Sequence, residues 1–111
     1  MAIYFNTTNP QLLLGEIKKA IKDGRIVTWL VDENGDFTHN TEQWKYQAWL
    51  RPKISSQQLI FSILRPKNKS ISSVIYAIYH GRFIESVLTH FDGLFSTAMA
   101  SALPAEEDNV T

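Results

Sequence analysis

Three histidines, His39, His80 and His90, are the side chains of this 111-residue chain that titrate near neutral pH. No cysteine accompanies them, which excludes disulfides, iron–sulfur clusters, thiolate zinc sites and a thiol nucleophile. No two imidazoles stand four residues apart, the spacing that sets a helical pair on one metal, and no His-Glu-x-x-His occurs. The expectation is therefore no metal and no cofactor. Gly15, Gly24, Gly35, Gly81 and Gly93 are too dispersed to build a phosphate-cradling loop, and no Gly-x-Ser-x-Gly elbow is present.

His80 has Tyr79, Arg82 and Glu85 close in sequence, which suits a catalytic role. At helical spacing it falls between Tyr76 and Phe83/Ile84, inside an apolar stripe, which suits a packed histidine holding one or two hydrogen bonds. Packing is the stronger reading. His39 follows Asp36 in a hairpin-like segment, an arrangement with no specificity for catalysis.

Charge is distributed unevenly. Lys+Arg and Asp+Glu both number 11, yet Asp32, Glu33, Asp36 and Glu42 cluster without a base among them. From Gln43 to Ile84 no acid occurs, while Lys45, Arg51, Lys53, Arg65, Lys67, Lys69 and Arg82 do. In that stretch Trp44, Tyr46 and Trp49 interleave with Lys45 and Arg51. Alternation places Trp44, Tyr46, Ala48 and Leu50 inward, and Lys45, Trp49 and Arg51 outward in solvent. The candidate binding residues are Lys45, Trp49, Arg51, Lys53, Arg65, Lys67 and Lys69.

The elements that must carry these residues follow from spacing and punctuation. Ile3-Tyr4-Phe5 reads as a short strand. Asn9-Pro10 opens a helix over 10–23, with Leu13, Leu14, Ile17, Ala20 and Ile21 on one face and Gly24 at its end. Strands over 25–31 and 36–40 flank Asn34-Gly35, a strong hairpin signal. Strands over 44–54 and 57–64 follow, the first carrying Pro52 and the second Leu59, Phe61 and Ile63 on one face. Residues 72–92 read as one helix whose main stripe runs from Tyr76 to Phe91. Ile71, Val74, Ile75, Ile78 and Tyr79 give it a second apolar side that needs cover. A last strand lies near 94–99.

The order β-α-β-β-β-β-α-β implies an α+β two-layer sandwich: a mostly antiparallel sheet of four to six strands with two helices on one face. Residues 1–103 are read as a single domain and 104–111 as a disordered acidic tail. The longest unbroken apolar run, Val74 to Tyr79, is far short of the roughly 18 residues a membrane span needs. No basic, apolar leader opens the chain, so the expected location is cytoplasmic and membrane-free.

Function is read first as a small non-enzymatic interaction module. It binds a protein partner with an anionic surface, or itself as a homodimer, through the basic and aromatic surface. The second reading is an RNA or single-stranded nucleic-acid binder using residues 43–69, where bases stack and phosphates pair. The third is a small enzyme with His80 or His39 in a cleft.

Overall fold

A computed structural model describes residues 2–104, 108 and 109. The chain folds as β1 (Ala2–Asn6), α1 (Pro10–Lys22), β2 (Trp29–Val31), β3 (Phe37–His39), β4 (Trp49–Ser55), β5 (Gln58–Leu64), α2 (Ser73–Phe91) and β6 (Thr97–Ala100). The six strands form one antiparallel sheet in the order β2-β3-β4-β5-β1-β6. This is the α+β sandwich that the element order implies. Among the described residues, no helix is long and apolar enough to cross a membrane.

Local chemistry explains the helix ends. The Asn9 side chain accepts from the Leu12 amide at 3.1 Å, and Pro10 occupies the first turn, where no amide donor is needed. Ser72 caps α2 likewise, accepting from Ile75 at 3.2 Å. Past α1 the chain reverses at Gly24 (φ +79°), and the Arg25 and Ile26 amides return to the Ala20 carbonyl. That return occupies part of the segment expected as a long strand, so β2 starts only at Trp29. Residues 92–94 form a 3-10 turn, which delays β6 to Thr97.

Both helices cover one sheet face. Ile3, Phe5, Phe37, Leu50, Leu59, Phe61 and Ile63 point into it, against Leu13, Ile17 and Ala20 of α1 and Tyr79, Phe83, Val87 and Phe91 of α2. Phe83 is the hub. Its ring lies 4.6 Å from Phe61, 4.9 Å from Trp29, 5.5 Å from Phe37 and 6.2 Å from Phe5, mostly edge-to-face. One helical residue thus ties four strands together. The second apolar side of α2 finds its cover within the chain. Tyr79 and Ile71 are buried and Ile75 and Ile78 half-buried, leaving Val74 exposed at 59%.

Among the described residues, the opposite sheet face carries no helix. Register sets Met99, Tyr4, Ile60 and Lys53 in one row across β6, β1, β5 and β4. Arg51 lies beside Ser62, and Trp49 beside Leu64. Two residues of the segment expected as a disordered tail are placed against β5. Asp108 Oδ1 accepts from the Ile63 amide, and Asn109 makes a parallel bridge at Leu64 with bonds of 2.9 and 2.7 Å. Residues 105–107, 110 and 111, on which the rest of that expectation falls, lie outside the described residues.

Candidate docking surface

The segment between β3 and β4 departs most from alternation. Thr41 to Tyr46 wind into a turn: the Thr41 carbonyl receives the Trp44 and Lys45 amides, and the Trp44 carbonyl receives the Gln47 amide. Tyr46 closes the turn in the left-handed region (φ +61°), so the extended strand begins only at Trp49. A left-handed residue resets side-chain parity. Tyr46, expected inward, stands 54% exposed, while Ala48 and Leu50 are fully buried.

The turn is anchored from above by α2. The Tyr79 hydroxyl donates to the Trp44 carbonyl at 2.5 Å, accepts from the Gln47 amide at 3.2 Å and meets Thr38 Oγ1 at 3.2 Å. On this anchored turn the Tyr46 ring stacks on Trp49, with centroids 6.3 Å apart and planes at 18°. The Lys45 ammonium sits 5.2 Å above the Tyr46 ring, a cation–π contact at the surface. Lysine, tyrosine and tryptophan thus form one ledge beside the helix-free face.

From this ledge Trp49, Arg51 and Lys53 run down β4 on the helix-free side, as the sequence alternation places them. Arg51 is not simply solvated. Its Nε and Nη2 donate to the two Asp36 carboxylate oxygens at 3.0 and 2.8 Å, and Asp36 is only 4% exposed. Those bonds hold the guanidinium above its already high ordinary pKa. Part of the acidic hairpin charge is therefore answered inside the molecule. Arg65 follows the cross-strand partner of Trp49 and donates from Nε to Asn109 Oδ1 at 3.2 Å. Lys67 and Lys69 are exposed in the loop leading from β5 to α2. The seven candidate residues therefore divide into a group on and beside β4, and two lysines farther along the chain.

Two of the three imidazoles, those of His39 and His80, lie in the interior, while His90 is exposed in the last turn of α2. His80 is 3% exposed and its Nδ1 meets the Tyr76 carbonyl at 2.7 Å. His39 is 2% exposed, with Nδ1 at 2.7 Å from the Thr28 carbonyl and its ring stacked on Trp29 at 4.6 Å. Neither lines the groove where β1, the β4–β5 turn and the α2–β6 link meet, nor the groove between α1 and β2. Among the described residues, no cluster of three or more His, Asp or Glu could hold a metal ion.

Sequence reasoning missed Tyr46 as a surface residue and Asp36 as a buried partner, because neither backbone handedness nor a cross-strand neighbour is written in the alternation. No family model, curated protein or solved structure matches this chain.

Proposed function

We propose that this chain is a non-enzymatic docking module that binds an anionic protein surface, in the cytoplasm, through the Tyr46–Trp49 ledge. Lys45 and Lys53 are the cations on that side, with Arg65 just past the end of β5 and Lys67 and Lys69 in the loop beyond it. The supporting observation is the backbone of Tyr46. A bulky residue in the left-handed region costs about 1–2 kcal/mol, and glycine would hold the same turn without strain. The fold gains little from a ring that is more than half exposed. An aromatic kept there at a cost to stability suits recognition, since tyrosine and tryptophan are enriched among the residues that dominate interface energies.

The Lys45–Tyr46–Trp49 stack also suits a nucleobase platform, which keeps single-stranded nucleic acid as the second reading. Titrating tryptophan fluorescence with a poly-glutamate peptide and with oligo-uridine separates the two. The peptide is expected to bind with a shallow salt dependence. Tyr46→Gly is expected to weaken it at least about tenfold while the melting temperature holds or rises. Oligo-uridine binding with a log K slope of about −3 or steeper per decade of salt would transfer the proposal to nucleic acid. Binding of neither probe, or full binding by Tyr46→Gly, would overturn it.

A further inference from the structure

At the far end of β4 from the ledge, a surface groove of about 540 Å³ lies among residues from three separate segments. Its lining comprises Asn6, Thr7 and Thr8 at the end of β1, Ser56, Gln57 and Gln58 at the β4–β5 turn, and Gly93 to Ser96 before β6. None of these residues is titratable. That separates the groove from the one between α1 and β2, which Lys18, Lys22, Asp32 and Glu33 line.

The amides are arranged in advance. Gln58 Nε2 donates to Asn6 Oδ1 at 2.8 Å, and Asn6 Nδ2 donates to Thr97 Oγ1 at 2.5 Å. This relay fixes the Asn6 carboxamide and leaves it one N–H and one lone pair for a ligand. Thr7 Oγ1 donates to the Leu94 carbonyl at 2.7 Å and so joins the two walls. The side chains of Thr8, Ser56 and Gln57 make no hydrogen bond to any described residue and are exposed. Leu94 and Phe95, both half-buried, give one wall an apolar strip.

A second observation concerns the turn itself. Gln57 occupies the left-handed region (φ +59°) of a two-residue connection between the paired Ser55 and Gln58. Glycine or asparagine is the unstrained choice there, and glutamine adds only a longer amide arm at the groove rim. Strain retained at an exposed position whose side chain serves no internal contact points to work done outside the fold.

We infer that this groove binds an uncharged saccharide of one or two rings. With no charged group, it has nothing to neutralise a phosphate, a carboxylate or an ammonium. Carboxamides and hydroxyls both donate and accept, as sugar hydroxyls do, and the Leu94–Phe95 strip meets the C–H face of a sugar ring. The volume falls within the range of small-molecule sites.

The test is an amide-resolved NMR titration of the full chain with glucose, galactose, mannose, N-acetylglucosamine and maltose, each to about 50 mM, a range suited to millimolar affinity. Inorganic phosphate and a neutral tripeptide serve as controls. At least one sugar is expected to shift the amide signals of Asn6, Gln57, Gln58 and Ser96 in a saturable way, with phosphate inert. Gln57→Gly is expected to weaken that sugar at least about tenfold with an unchanged or higher melting temperature. Gln58→Ala, which frees Asn6, is expected to weaken it too. The inference is overturned if no sugar perturbs these signals, if the tripeptide or phosphate perturbs them instead, or if Gln57→Gly binds as the parent does.

Discussion

Protonating His39 would bury a positive charge whose Nε2 proton meets no acceptor among the described residues. Its Nδ1 faces the Thr28 carbonyl, which can only accept, so Nδ1 carries the proton in the neutral ring. Nε2 is buried and has no partner among the described residues. Trp29 stacks on one face of the ring, and the Tyr79 ring meets it edge-on at 6.0 Å. Burial pushes the His39 pKa below its ordinary 6.5; the Thr28 carbonyl opposes this, Arg82 adds to the lowering and Glu85 offsets it. The neutral ring is thus favoured in the folded state, while the unfolded chain takes up a proton as pH falls through 6.5. Stability is expected to hold above that value and to decline below it, with a slope of at most about 1.4 kcal/mol per pH unit from this group. Urea unfolding across that interval checks this. His39→Gln, whose amide can still reach Thr28, should flatten the decline, and an equally steep decline in that variant would place its origin elsewhere.

At the scale of elements, the joint between β3 and β4 is narrow. The two strands share one register pair, Phe37 with Leu50, whereas β4 and β5 share seven. Side chains do the remaining work. Thr38 Oγ1 donates to the Ala48 carbonyl at 2.9 Å, Tyr79 braces the turn, and Arg51 grips Asp36 with two hydrogen bonds. Arg51→Gln would leave a buried carboxylate without its charged partner and is expected to cost about 1–3 kcal/mol. Adding Asp36→Asn should recover most of that loss, a coupling that a double-mutant cycle in urea would measure. Arg51→Glu, which sequence alternation treats as harmless, should be the worst single change, because it sets two carboxylates face to face.

Tyr79→Phe belongs to the same joint. Losing the hydroxyl leaves the Trp44 carbonyl and the Gln47 amide without it, at an expected cost of about 1–3 kcal/mol. Faster amide exchange is expected at residues 44–47 than in β5, and uniform acceleration would deny the turn its dependence on α2.

These elements also mark what was legible beforehand. Asn9-Pro10 and the 3.6-residue spacing give α1, and strict alternation gives the buried Leu59, Phe61 and Ile63 of β5. Trp49, Arg51 and Lys53 share a face as read, since the chain from 49 to 55 is continuously extended. Period-two reasoning fails upstream because it presumes extended backbone, and the positive φ of Tyr46 breaks that premise. The neutral groove was invisible because Asn6, Gln57 and Ser96 meet only through tertiary folding.

Across the whole molecule, the first strand in sequence lies inside the sheet, between β5 and β6. Its partners are Gln58 to Ser62 and Thr97 to Ala100, so β1 cannot pair until most of the chain has been gathered. The β4–β5 hairpin, by contrast, closes seven pairs across a two-residue turn and needs almost no loop entropy. Such a topology predicts refolding in the millisecond-to-second range, slower than a helical bundle of this size. It also predicts which residues are consolidated early. Ile3→Ala and Ile63→Ala each empty a fully buried site and should each cost about 2–5 kcal/mol. If the β4–β5 hairpin nucleates folding, Ile63→Ala acts mainly on the refolding rate, whereas Ile3→Ala acts mainly on unfolding. Stopped-flow tryptophan fluorescence reads both rates, since Trp29 lies against Phe83 in the core that forms when the helices dock on the sheet. A larger refolding defect for Ile3→Ala than for Ile63→Ala would mean that the long-range closure around β1 comes first, against the order that the loop lengths dictate.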